Sequence, residues 1–258
     1  MVNATFSVAD GVARIRVERE EALNSIDLET KEEIIERLGE YDDDEDVRAV
    51  LFETAGEKAF SAGGDLKEVV EEDFALEPFT ESWDRLFTRM TTMDTPTVAK
   101  LDGFTFGGGF DLMLHTDVVV AAEDAKIGQP EVNLGIVNHF SPAFLPPAIG
   151  TKKTLDLLLT GDPITGAEAK ELGLVARAAP AEELDAEVES VLSSLKSHSP
   201  KILSRIKSVV YEGIEMSPSA ARDHAENVAH EAAEGPWMRE GVEAQLEKRD
   251  PSWAYDDE

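Results

Sequence analysis

Asp111 and Glu131 are the two side chains in this sequence whose setting suits proton transfer. Asp111 follows three glycines, Gly107, Gly108 and Gly109, that end the run Phe104-Thr105-Phe106 and launch a helix, so the carboxylate falls in the first helical turn. Glu131 comes twenty residues later, delivered by the polar turn Gly128-Gln129-Pro130. Two carboxyls in one site can divide acid and base work between them. The glycines add a second capability. Glycine lets main chain come within hydrogen-bond reach of a ligand, and the first turn of a helix has N–H groups without intrahelical partners, so such a place receives negative charge. Where that charge develops during a reaction, the same donors form an oxyanion hole. Taken singly, each feature has a plainer explanation: a glycine turn, a first-turn acid complementing the helix dipole, a solvated turn acid.

Elements able to hold these residues lie on both sides of them. A proline-led apolar run, Thr97 to Leu101, predicts a strand before the glycines, and Val118 to Ala122 predicts another before Glu131. Val47 to Phe52, apolar except for Arg48, predicts a strand buried on both faces. It feeds Ala59 to Lys67, so the order strand, glycine loop, helix occurs twice. Thr5 to Val8 and Val12 to Val17 alternate about Asp10-Gly11 and predict a hairpin. Asp27 is placed to cap a helix with Leu28, Ile34, Ile35 and Leu38 on one side. Trp83, Leu86, Phe87, Met90 and Met93 recur at helical spacing, a core stripe by preference. Helices are also predicted over Thr151 to Leu159 and Thr165 to Leu172, the second capped by Thr165 and ended by Gly173, with a short strand over Leu174 to Ala178. Beyond Pro180 the pattern is entirely helical, with one helix opening at Ser217-Pro218.

With 258 residues and 42% hydrophobic content the chain can bury a sizeable core. The start, MVNATFSVAD, lacks the basic and apolar regions of a signal peptide, and no apolar run approaches the ~20 residues needed to span a bilayer. These features predict a cytoplasmic protein without membrane association. Zero cysteine excludes disulfides, thiolate metal sites and thiol catalysis. The five histidines, at 115, 139, 198, 224 and 230, show no metal-ligand pattern. Acidic residues number 54 against 24 basic, a net charge of −30. Such a surface repels nucleic-acid phosphates and anionic membranes. The acids are spread along the chain, with only Asp42 to Asp46 forming a run. Salt screens such repulsion over a few Å at high concentration, and the composition predicts a halophilic source.

The stretch GFTFGGGFDL, followed by GQPEVNLG, resembles the enoyl-CoA hydratase/isomerase (crotonase) superfamily. Three further stretches agree in order: EALNS at 21 to 25, AFSAGGDLK at 59 to 67, and LTGDPITGAEAKELGLV at 159 to 175. The resemblance implies an α/β fold, a crotonase-like spiral of repeated ββα units over 1–197, with a C-terminal helical region over 198–258 that mediates a homotrimer or homohexamer. It implies an acyl-CoA substrate, coenzyme A being part of that substrate and no separate cofactor being needed. Gly64 and Gly108 would be the oxyanion donors, and Asp111 and Glu131 the acid/base pair. Ala22, Ala62, Asp65, Leu66, Lys67 and His139 would bind substrate.

The implied reaction is hydration of a 2-enoyl-CoA, in which one carboxyl activates water, the other protonates the alpha carbon and the N–H pair holds the enolate oxygen. Two departures from the family pattern matter. Typical hydratases have Glu where Asp111 stands, and a Gly-Gly-Thr loop end where this chain has Asn138, His139, Phe140, Ser141 and Pro142. The Asp also resembles dienoyl-CoA isomerases, which carry a further acid where His139 stands. Enoyl-CoA or dienoyl-CoA isomerisation is therefore the alternative, followed by decarboxylation or thioester hydrolysis, or acyl-CoA binding without turnover. The charge balance adds a direct expectation. Turnover of crotonyl-CoA should hold or rise as salt is increased from about 0.1 M to the molar range, and a fall would overturn the halophilic reading.

Overall fold

The computed structural model describes residues 3–71, 73–75 and 77–253, so the outermost ends of the two expected segments, 1–2 and 254–258, lie outside the described residues. The chain opens with β1 (Ala4–Ala9) and β2 (Val12–Val17), paired antiparallel from Ala4 opposite Val17 to Ala9 opposite Val12. Asp10 and Gly11 turn the hairpin with φ of 51° and 73°, the left-handed pair that matches strand twist. Helix α1 (Leu28–Asp42) begins where Asp27 accepts from the Thr30 N–H at 2.9 Å, the expected cap.

Three strand pairs then repeat one plan. β3 (Ala49–Thr54) leads to the short β4 (Ala59–Ser61) and α2 (Leu66–Glu71); α3 (Glu77–Thr92) follows. Next, β5 (Thr97–Leu101) leads to β6 (Phe104–Phe106) and α4 (Gly108–Leu114). The third pair is β7 (Val118–Ala122) and β8 (Lys126–Gly128), followed by a 3₁₀ turn over Pro130–Leu134. Helices α5 (Ser141–Ile149) and α6 (Thr151–Thr160), strand β9 (Ile164–Thr165), α7 (Gly166–Glu171), β10 (Arg177–Ala179) and α8 (Leu184–Lys196) close the core. Helices α9 (Pro200–Ile214), α10 (Pro218–Glu234) and α11 (Pro236–Glu247) end the described chain.

One sheet runs in the order β1-β2-β3-β5-β7-β10, parallel from β2 onward, and a second in the order β4-β6-β8-β9. Each ββα unit thus steps from the first sheet to the second and returns by a helix or turn, which is the expected spiral. Side chains of both sheets and of α1, α3 and α8 join one apolar core running from Val12 to Leu192. Two strands start later than expected. β3 starts at Ala49 because Val47 closes a turn, its N–H reaching Asp44 O at 3.0 Å. β10 starts at Arg177 because the Leu174 and Val175 N–H groups turn back to Ala169 O at the end of α7. Among the described residues no helix is long and apolar enough to cross a membrane.

A buried polar hub ties the last third of the chain to this core. The Asp117 carboxylate, at the entry to β7, accepts from Thr97 N at 2.7 Å, Thr97 Oγ1 at 2.9 Å and Tyr211 Oη at 3.0 Å, and pairs with Lys207 Nζ at 2.9 Å. Lys207 also donates to the carbonyls of Met90 and Thr95. Its burial draws the ammonium below its ordinary pKa, against the pull of Asp117. Removing one member of a buried pair strands the other charge, so Lys207→Ala is expected to lower the unfolding free energy by about 3 kcal/mol, measured by urea denaturation. A change within 0.5 kcal/mol, about the size of ordinary surface substitutions, would contradict the hub's importance.

Candidate active site

The site forms where the loops leaving β4 and β6 touch. Gly63 and Gly107 both have positive φ, 99° and 57°, and a Cβ added to Gly63 would lie 2.8 Å from Gly108 N. The two loops meet main chain against main chain, a closeness that only glycine allows. The next residues are held from behind by aromatic rings. A Cβ on Gly64 would collide with Phe79 at 2.2 Å, and one on Gly108 with Trp83 at 2.4 Å. Gly108 is the first residue of α4, where a helix leaves its N–H groups unpaired. Gly64 and Gly108 line one cavity of about 130 Å³ together with Asp111 and Glu131.

Asp111 is 1% exposed, and three side chains satisfy it. Oδ1 accepts from Gln129 Nε2 at 2.8 Å and from Ser141 Oγ at 2.6 Å, and Oδ2 accepts from Asn138 Nδ2 at 2.6 Å. Gln129 also donates to Ser141 Oγ, so the three groups form one network. Burial raises the Asp111 carboxyl to about 6 against the pull of these donors. Glu131 is treated differently. It stands on the 3₁₀ turn that Pro130 opens, its Oε1 lies against Gly107, and its buried Oε2 has no hydrogen-bond partner. Burial raises this carboxyl to about 7, with the Asp111 charge adding to the shift. One carboxyl is thus surrounded by donors, and the other has an oxygen left without one.

Most of the expected site residues meet at this cavity. Ala62, Leu66 and His139 line it beside the glycines and the carboxyls. Ala22, Asp65 and Lys67 do not line it. Ala22 sits one residue before Leu23, whose carbonyl accepts the Ala62 N–H. Asp65 turns to Arg19, 2.7 Å away. Burial works to raise the Asp65 carboxyl, and Arg19 with the Lys67 main-chain N–H overcomes it to hold the group below its ordinary value. Lys67 is exposed. His139 Nε2 approaches Asp84 Oδ1 at 3.9 Å. Among the described residues no cluster of three or more His, Asp or Glu side chains could hold a metal.

Sequence reasoning missed Gln129, Asn138 and Ser141 as partners of Asp111. A signal existed in the polar Asn and Ser that interrupt the apolar run after Val137, but nothing local to them points back to residue 111. Trp83 belongs to the core stripe as expected and also borders the cavity.

A family model described as enoyl-CoA hydratase/isomerase matches residues 7–256. A Mycobacterium tuberculosis protein named probable enoyl-CoA hydratase is 34% identical over 245 residues, 95% of each chain. A Bacillus subtilis protein of the same name is 31% identical over 258 residues, 98% of this chain and 99% of the relative. The crystal structure of an enoyl-CoA hydratase from Bacillus anthracis superposes with a TM-score of 0.91 at 29% identity, over 99% of this chain and all of that one. The ββα spiral, the paired glycine loops and these matches along nearly the whole length agree: this chain belongs to the enoyl-CoA hydratase/isomerase family.

Proposed function

We propose that this protein catalyses the reversible addition of water to a 2-enoyl-CoA thioester. The observation that carries the reading is the convergence of Asp111, Glu131, Gly64 and Gly108 on one cavity. The donor count divides the roles. Three hydrogen bonds favour the ionised form of Asp111, which suits it to take a proton from water as the water oxygen bonds to C3. The π electrons move to the thioester oxygen, where the N–H groups of Gly64 and Gly108 receive the charge. Glu131, buried with an unpartnered oxygen, favours its protonated form and delivers that proton to C2. Water is consumed, one C–O and one C–H bond form, and the proton exchanges from Asp111 back to Glu131 before the next cycle.

The same geometry supports an acyl-CoA substrate whose acyl end meets Val69, Phe79 and Trp83 in the cavity wall, with coenzyme A entering as part of the substrate and no further cofactor. A homotrimer or homohexamer through α9–α11 has support in the exposed apolar side chains Ile206, Val210, Ile214 and Met238. A cytoplasmic setting accords with such a substrate. A second reading, double-bond isomerisation, is favoured by one observation: the donors around Asp111 occupy much of its acceptor capacity, leaving Glu131 free to carry a proton by itself between carbons.

Crotonyl-CoA turnover separates the two. Loss of the conjugated-enoyl absorbance with a product heavier by one water supports hydration. No change of mass, with turnover of 3-enoyl or dienoyl substrates, favours isomerisation, and silence on all of them favours decarboxylation, hydrolysis or binding alone. Asp111→Asn and Glu131→Gln should each lower kcat by about 100-fold or more; losses under about 10-fold in both would remove the acid/base assignment.

The pH dependence follows from the same pair. Both carboxyls are raised, to about 6 and about 7, so below this window both hold protons and no base remains, while above it both are ionised and no acid remains. The rate should therefore be bell-shaped in pH with its maximum between these values, the limbs belonging to the coupled pair. A rate that climbs steadily through pH 9 would contradict this division of roles.

A further inference from the structure

Asn138 stands between the two carboxyls and is anchored from outside them. Its Oδ1 accepts the main-chain N–H groups of Phe140 at 2.8 Å and Ser141 at 2.9 Å, so the side chain is seated on the start of α5. From that seat Nδ2 donates to Asp111 Oδ2 at 2.6 Å, and the same amide faces the Glu131 carboxyl. Asn138 lines the cavity with both acids. An amide nitrogen has two N–H donors, enough to give one to each side. Gln129 and Ser141 both approach Asp111 on Oδ1, whereas Asn138 is the donor on Oδ2.

We propose that Asn138 is a positioning residue for proton transfer: its amide aims the Asp111 carboxylate and divides it from Glu131, and its carbonyl, fixed by α5, sets where the amide stands. This inference rests on the hydration reading. Two carboxyls sharing a buried site repel when both ionise, and a donor lodged between them favours ionisation of the one it binds. The position is decided by the helix start, not by the acids, so the amide stays in place while the proton moves.

The remaining ionisable groups are arranged around this unit without entering it. His115 Nδ1 lies 2.7 Å from the Asp111 main-chain oxygen, not its carboxylate. His139 and Asp84 face each other at 3.9 Å, and Asp84 does not line the cavity. Lys31, from α1, lies behind the aromatic wall, 4.7 Å from the Phe79 ring centroid and 4.9 Å from that of Trp83. Asn138 therefore controls the acid limb more directly than any of these charges.

Two variants separate aiming from mere capping. Asn138→Ser keeps a short oxygen for the α5 N–H groups but cannot reach Asp111. Asn138→Thr keeps the same oxygen with a methyl in place of the amide, adds no charge and has no N–H to give. For both, kcat/KM for crotonyl-CoA hydration is measured from pH 5 to pH 9 beside the unaltered protein, with thermal melting as the check on folding. The expected result is an acid limb moved up by about one pH unit, hence a loss of about tenfold below it. In Asn138→Ser the loss should shrink as pH rises, and KM should change little. An unmoved limb, or a loss by the same factor at every pH, overturns the inference, because a purely structural role weakens the site without retuning it. If Asn138→Ser fails to fold, Asn138→Thr supplies the same comparison of limbs. Unaltered protein that adds no water to crotonyl-CoA overturns the hydration reading, whereas normal turnover with an unmoved limb in the variants overturns the role of Asn138 alone.

Discussion

The contact of Gly63 with Gly108 is the constraint on which the site depends. Two successive ββα units are laid side by side, and at their junction no side chain can intervene, because a Cβ on Gly63 would press on a main-chain nitrogen. That closeness brings one unit's loop and the next unit's helix start to the same cavity. The parallel sheets supply the spacing, since β4, β6 and β8 are neighbours in the second sheet and each delivers its following segment to the same side. Asp111 is carried by the helix after β6 and Glu131 by the turn after β8, so the pairing of strands is also the pairing of acids.

Burial then makes the two acids unequal. Both are raised by removal from water, yet Asp111 recovers three donors while Glu131 keeps an unpartnered oxygen. Hydrogen-bond supply thus distinguishes two carboxyls that burial raises alike, the general means by which like groups come to differ in protonation. This happens inside a molecule whose net charge is −30. The surrounding field is unfavourable to a polyanionic ligand, so any such ligand would depend on local cations or main-chain donors.

Much of this was legible in the sequence because it is local. The Asp10-Gly11 turn, the Asp27 and Thr165 caps and the strand over Thr97–Leu101 are each decided by a few neighbouring residues. The glycine runs and the two acids were visible for the same reason. What stayed hidden is long-range. Asn138 and Ser141 are 27 and 30 residues from Asp111, and no periodicity links them. Asp65, expected to bind substrate, stands off the cavity lining for a similar reason: Arg19, 46 residues earlier, pairs with it. Trp83 shows the limit of a core pattern, since one ring can fill a core and wall a site together.

The Asp117 hub has a consequence in time. Its acceptor oxygens meet Thr97 within 20 residues of chain, but the Tyr211 hydroxyl lies 94 residues further on. At a synthesis rate of roughly 5–20 residues per second, that separation is about 5–20 s. During that interval β7 to β10 complete both sheets in sequence, while the Asp117 carboxylate still lacks its Lys207 and Tyr211 partners. The hub therefore closes only after every strand of the described chain has been made, so α9 is fastened to sheets already complete in sequence.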